Sequence, residues 1–286
     1  MAKVTVRQEF LPKSWAEEFL NAHDDFVRKV RRGEIESPTI KLDYGMDGAN
    51  PYGVGSSSLA GDARQWWYRR KGVPNHPTPA EYHFTAEQGR MMEVPVLRAL
   101  EHMGLKFETQ TEARGKNHGG LVDGIAEVDG KKILFESKHI GRSRFIEAFE
   151  QPLYTANNGY FWQAQSYLHA TGAEYSLFVI TSQDSSAVKA ELTMRRRKNP
   201  DQREPNSKVF AFKLYKIKNV KPIEERAAGM LKTLEGDEPP ARERNPYKDW
   251  ECMSLFCGHR EQCLTDGPTG DTIFQLPQVE TEVVYL

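Results

Sequence analysis

Residues 121–138 read LVDGIAEVDGKKILFESK, two alternating apolar runs on either side of Asp129-Gly130. The Asp-Gly dipeptide accepts positive φ at both positions, which favours a two-residue type I′ turn and therefore a β-hairpin. With that turn Val128 pairs with Lys131, and Asp123 falls opposite Glu136. Side chains alternate along a strand, so Lys138 projects from the face of Glu136, while Ile133, Phe135 and Ser137 point to the other. A slip of one residue would put Asp123 on the opposite face from Glu136. Two opposed carboxylates with Cβ atoms about 5 Å apart repel each other, and a divalent cation between them removes the conflict. The competing reading is a pair of solvated acids on an open sheet face. ILFESK argues against it, because its apolar first half suits a sheet centre and its polar end then needs partners.

The remaining chain sets the context. At 286 residues and 38% hydrophobic it can bury a sizeable core. It contains no apolar run of about 18 residues, and MAKVTVRQEF lacks the apolar segment of a secretory signal, so the expectation is a cytoplasmic protein without a membrane partner. A formal charge of −1 gives no global attraction to a polyanion. Any nucleic-acid contact must then come from local basic clusters: Arg195-Arg196-Arg197-Lys198, Arg69-Arg70-Lys71 and Lys131-Lys132. Solvated surface is the competing reading of each.

Ser14 with Glu17 reads as a capping box opening a helix to about Arg32, closed by Gly33. Residues 36–58 read as loop, Ser58 to Arg70 as a helix carrying Trp66 and Trp67, and Pro74, Pro77 and Pro79 as extended chain. A stronger helix runs from Thr85 to Met103, followed by strands at 105–112, 120–128 and 131–138. Helices near 143–150 and 159–171, strands from Tyr175 to Thr181 and Lys208 to Ile217, and a helix from Pro222 to Leu234 complete the pattern, with 183–207 left as loop. This order indicates an α/β (α+β) fold, a central mixed β-sheet flanked by helices. Composition divides the chain into an N-terminal helical region and loop (1–80), a core (81–234), and a linker, cysteine-bearing appendage and tail (235–286).

Asp123, Glu136 and the backbone carbonyl of Ser137 offer hard oxygen ligands of the kind Mg²⁺ or Mn²⁺ accepts. A bound divalent ion lowers the pKa of water and clamps phosphoryl oxygens, as phosphodiester cleavage requires. Lys138 beside it orients or helps deprotonate the attacking water and offsets phosphate charge. Gln163 and Tyr167, four apart, share a helical face. No G-x-x-x-x-G-K-[ST], G-x-S-x-G or H-E-x-x-H occurs, so P-loop, hydrolase-elbow and zincin chemistry lack their motifs. His118, His139 and His169 read as polar surface or phosphate contacts rather than ligands.

These residues together resemble the PD-(D/E)xK nuclease superfamily, in its RecB-like and lambda-exonuclease-like (YqaJ-type viral recombinase) branch. Asp123-Gly and Glu136-Ser-Lys138 match the core motif, with Val122 where the proline of the name would stand. Gly89-Arg-Met-Met-Glu93 is similar to the G-x-x-x-E helix, and Gln163-Ala-Gln165-Ser-Tyr167 to the Q-x-x-x-Y helix. The likeness spans roughly residues 52–265. It implies a restriction-endonuclease-like core, Glu93 as a further metal ligand, Gln163 and Tyr167 ordering the site, and DNA as substrate. It also implies a role in recombination or repair beside a single-strand-annealing protein.

Cys252, Cys257 and Cys263 crowd into twelve residues that also hold His259. In a cytosolic chain such clustering suggests metal rather than disulfides. Zn²⁺, an iron–sulfur cluster completed by Asp or His, and a degenerate, empty site are the readings. The spacing is similar to the end of the AddB-type cysteine pattern, and that likeness puts Asp62 where the first cysteine would be. Four thiolates are not available in this chain. The expected activity is a Mg²⁺-dependent DNA exonuclease. The alternatives are a DNA-binding or assembly factor with a vestigial site, and a structure-specific endonuclease.

Overall fold

A computed structural model describes residues 4–36, 53–74, 80–199, 206–244, 247, 252, 257–267 and 279–286, with backbone alone for 80–83. In chain order the elements are β1 (Val4–Phe10), α1 (Lys13–Arg31), β2 (Val54–Gly55), a 3-10 turn (Ser56–Ser58), α2 (Ala63–Arg70) and α3 (Ala80–His102). There follow β3 (Glu108–Arg114), β4 (His118–Val128), β5 (Lys131–Ile140), α4 (Arg142–Glu150), α5 (Leu153–Ala156), α6 (Asn158–Thr171) and β6 (Tyr175–Ser182). The last described elements are α7 (Ser185–Lys198), β7 (Val209–Tyr215), α8 (Lys221–Thr233), α9 (Arg260–Thr265) and β8 (Val279–Tyr285).

One mixed sheet organises them, in the order β2-β4-β5-β6-β7-β1-β8, with β3 also paired to β4. β5 and β6 run parallel, while β3, β4 and β5 are successive antiparallel neighbours. Helices cover both faces, so the central strands are apolar on both sides. On β6, Leu177 and Val179 pack under α1 and α3, and Phe178 and Ile180 under α4, α6 and α8. Fully burying Phe178 contributes about 2–3 kcal/mol.

The mixed α/β architecture agrees with the sequence; several details differ. β1, unassigned from the sequence, and β8, in a stretch that reads as a surface strand or tail, form one end of the sheet, with β1 antiparallel to β7 and parallel to β8. The sheet therefore takes strands from all three compositional segments and crosses the divisions at 80/81 and 234/235. Residues 183–207 are not simply loop: α7 occupies Ser185–Lys198, capped by the Asp184 carboxylate on Ala187 N–H at 3.2 Å. Its buried side chains are Val188 and Leu192, one turn apart, too narrow a stripe to give strong periodicity. Helix α1 begins after Pro12 without a side-chain cap, so Ser14 and Glu17 form no capping box. Most of the 36–58 segment lies outside the described residues, as do Pro77 and Pro79.

Candidate active site

The hairpin has the turn and register its sequence predicts. Asp129 and Gly130 take φ of 52° and 72°, and pairing runs from Val128↔Lys131 to Gly124↔Phe135. The next pair would be Asp123 with Glu136, and there the ladder opens. The Asp123 carboxylate instead accepts a 2.8 Å hydrogen bond from the backbone N–H of Ser137. A residue in an extended strand directs its N–H and C=O toward the same edge, so the Ser137 carbonyl also lies on the side of β4. Strand separation thus creates a place where side chains and a backbone oxygen meet beyond the last rung.

Glu136 is fully buried, and its Oε2 accepts a 2.9 Å hydrogen bond from Lys138 Nζ. Its Oε1 has no hydrogen-bond partner. Burial raises the Glu136 carboxyl, with the Asp123 charge adding to the effect and Lys138 opposing it. Burial alone would lower Lys138, but Glu136 and Asp123 outweigh it and hold the ammonium above its ordinary range. Lys138 is therefore the cationic partner of Glu136 in the ion-free chain. Glu93, on α3, is pushed up to about 7 by burial and then by Asp123, against Lys138 and a 3.1 Å hydrogen bond from Gln110 Nε2.

Helix α6 roofs the Glu136–Lys138 face. Asn157 caps it on Tyr160 N–H at 3.1 Å, and Gly172, with φ of 76°, ends it in the left-handed conformation favouring glycine. Buried Gln165 fixes its orientation by bonding Ile217 N–H at 2.9 Å and the Tyr215 carbonyl at 3.0 Å. From this helix Gln163 Nε2 lies 3.5 Å from Tyr167 Oη, and Tyr160 places its ring 5.3 Å from Lys138 Nζ, a cation–π contact. Burial, and then the Glu136 charge, push the Tyr167 phenol up to about 12. A methyl group at Gly120 would stand 2.8 Å from the Tyr167 oxygen, so the glycine makes room for the roof.

The donor chemistry fits a hard divalent ion. A buried carboxylate oxygen without a partner is costly, and the Asp123 charge helps raise Glu93 and Glu136 until a cation joins them. Among the described residues no three His, Cys, Asp or Glu side chains converge into a ready cage. That agrees with Mg²⁺ habits, which need one or two carboxylates and leave the remaining positions to carbonyl, water and phosphate oxygens.

The cysteine region is organised differently. Cys252, Cys257, Cys263 and His259 line one cleft with Asp62, Gln65, Tyr68, Arg242 and Arg244. Asp62 is engaged as the N-cap of α2, its Oδ1 accepting Arg64 and Gln65 N–H at 2.8 and 3.1 Å and its Oδ2 accepting Glu243 N–H at 3.3 Å. The His259 ring is buried against Tyr68 at 5.4 Å, and neither ring nitrogen makes a hydrogen bond within normal geometry. Burial, and then Arg69, lower its pKa, against the Pro74 carbonyl, which raises it.

Other sequence candidates serve structure. His118 is not a surface group: buried at 2% exposure, its Nδ1 lies 2.6 Å from Ser166 Oγ, which in turn lies 2.7 Å from Ser56 Oγ. His139 Nδ1 meets Thr181 Oγ1 at 2.9 Å. Arg195 is held by Glu150 at 2.5 Å and Glu191 at 2.6 Å, and Lys131 by Glu174 at 3.1 Å, so these charges are partly neutralised. Sequence reasoning missed Tyr160 and Gln110. Tyr160 lies three residues before Gln163 on the same helix, whereas nothing local marks Gln110.

No family model and no curated protein matches the chain. Among solved structures it is similar to an alkaline exonuclease (LHK-Exo) from Laribacter hongkongensis at 16% identity and a TM-score of 0.43, covering 64% of this chain and 88% of that one. LHK-Exo in complex with dAMP gives 18% identity, the same TM-score of 0.43 and the same 64% and 88% coverage. A phage related exonuclease from Haemophilus somnus 129PT gives 13% identity and a TM-score of 0.45, covering 66% of this chain and 96% of that one. Overlaps this loose, at identities this low, define neither a family nor an activity.

Among the described residues no helix is long and apolar enough to cross a membrane.

Proposed function

We propose that this chain is a metal-dependent deoxyribonuclease that hydrolyses phosphodiester bonds from DNA ends, acting in recombination or repair. The observation that carries the reading is the group at the opened end of the β4–β5 ladder: buried Glu136 with an unpartnered oxygen, Asp123 turned onto Ser137 N–H, and Lys138 bound to Glu136. Asp123, Glu136 and the Ser137 carbonyl would hold Mg²⁺ or Mn²⁺, with Glu93 assisting. When bound, the ion supplies Lewis acidity and offsets phosphate charge. Lys138, 2.9 Å from Glu136, would orient or help deprotonate the attacking water and offset phosphate charge. Tyr160, Gln163 and Tyr167 hold that lysine and the approaching nucleotide from above the sheet. The resemblance of Asp123-Gly, Glu136-Ser-Lys138, Gly89-x-x-x-Glu93 and Gln163-x-x-x-Tyr167 to PD-(D/E)xK nucleases supports the same roles. It extends them to a single-strand-annealing partner.

The test is digestion of end-labelled linear DNA against covalently closed circular DNA under a Mg²⁺ and Mn²⁺ titration. Ion-dependent loss of linear DNA alone supports an exonuclease, while cutting of closed circles points to an endonuclease. Unchanged cleavage by Lys138→Ala and Asp123→Ala refutes the site.

For the cysteine cleft the donor set favours zinc, since three thiols and one imidazole match a Cys₃His sphere. Among the described residues these donors form no ready cage. Metal analysis of protein prepared without oxygen distinguishes zinc, an iron–sulfur cluster, and neither.

A further inference from the structure

One rung is missing where β3 meets β4. Pairing keeps a single register from Glu108↔Ile125 to Arg114↔Gly119, and the absent pair is Gln110 with Asp123. Gln110 has φ of 52°, a left-handed conformation that is costly for a residue with a Cβ and unusual in the middle of a strand. The side chain is exposed and joins no core cluster, so packing does not account for the strain. Its amide Nε2 donates to Glu93 Oε1 at 3.1 Å. Asp123 therefore lies free of ladder pairing on both sides, toward Gln110 and toward Glu136.

We propose that Gln110 is a positioning residue for the ion site. Its left-handed backbone opens the rung beside Asp123, leaving that carboxylate to turn onto Ser137, and its amide holds one oxygen of Glu93 toward the same place. Strain kept at a position with no packing return, next to grouped carboxylates, marks a local geometry maintained for binding. This inference rests on the metal-dependent reading above.

Gln110→Gly separates the two effects, because glycine adopts positive φ without a Cβ penalty and has no amide to give Glu93. Mn²⁺ affinity is measured by electron paramagnetic resonance on the full chain without DNA, alongside the ion-free melting temperature. The expected result is a Mn²⁺ Kd raised about 5–10-fold with a melting temperature equal to or above that of the original chain. The ion concentration for half-maximal cleavage rises in parallel, by more than the maximal rate falls. Thr111→Gly, on the same strand, is the control and leaves Mn²⁺ affinity unchanged. Unaltered affinity in Gln110→Gly overturns the proposal, as does an affinity loss accompanied by an equal loss in Thr111→Gly. If the original chain itself fails to bind Mn²⁺, the metal-dependent reading falls first.

Discussion

The two clusters of ligand-type side chains are built in opposite ways. At the β4–β5 junction three charged groups are held by adjoining strands of one sheet, and their tension is electrostatic: Glu136 is buried, one oxygen is unpartnered, and Lys138 only partly compensates. At the α2 cleft the donors come from distant segments, and the acids nearby are already engaged. Asp62 caps α2, and Glu243 pairs with Arg226 while accepting Ala63 N–H at 2.8 Å. Arg226 also donates to the Leu59 and Gly61 carbonyls at 3.1 and 2.7 Å, which pins α8 against the approach to α2. A site on a continuous sheet can keep unmatched charge because the backbone fixes it. At the α2 cleft the acids are engaged, and among the described residues the unmatched groups are the His259 ring nitrogens and Arg242 Nε.

Breaking each region should therefore have a different signature. The largest expected effect is on chemistry at the first: Lys138→Ala or Asp123→Ala lowers the DNA hydrolysis rate on the order of 10³-fold, measured at saturating Mg²⁺. Next is stability at the second. Arg226→Ala leaves Glu243, a mostly buried carboxylate at 15% side-chain exposure, without its partner. Unfolding free energy should fall by about 3 kcal/mol. Thiol labelling of Cys257 and Cys263 should accelerate while residual hydrolysis keeps its ion dependence.

A smaller effect belongs to the roof of the first region. Gly120→Ala drives a methyl group to 2.8 Å from Tyr167 Oη, and the overpacking should cost about 1–3 kcal/mol in a denaturant titration. The last is a pH dependence. Glu93 and Glu136 have folded pKa values raised from 4.5 to about 7. Between those values the folded chain binds more protons than the unfolded one, so without divalent ions these two groups make stability fall as pH rises from about 4.5 to 7. The decline is read from melting curves, and a saturating divalent ion should abolish it. A slope that persists with the ion would dissociate the carboxylates from its site.

What could be read from the chain beforehand follows the same division. The Asp129-Gly130 turn fixes the register of β4 on β5 through local chemistry alone, so the meeting of Asp123, Glu136 and Lys138 was visible in eighteen residues. The pairing of β1 with β7 and β8 was not, because it joins segments about 205 and 275 residues apart. Helix α7 escaped notice because Val188 and Leu192 are its buried residues. Asp62 carried an overlooked local signal, an N-cap aspartate directly before Ala63-Arg64-Gln65, obscured by starting that helix at Ser58. Gln110 offered none, since its left-handed backbone and bond to Glu93 arise only when α3 meets the sheet.

The most direct test of the central claim is a comparison of the original chain with Glu136→Gln on end-labelled linear duplex DNA, with and without Mg²⁺. The substitution keeps the shape and a hydrogen-bonding oxygen for Lys138 but removes the buried negative charge. The account predicts progressive release of label by the original chain only when the ion is present, and its near-complete loss in Glu136→Gln despite a folded protein. Equal digestion by the two, or digestion indifferent to divalent ions, would contradict it.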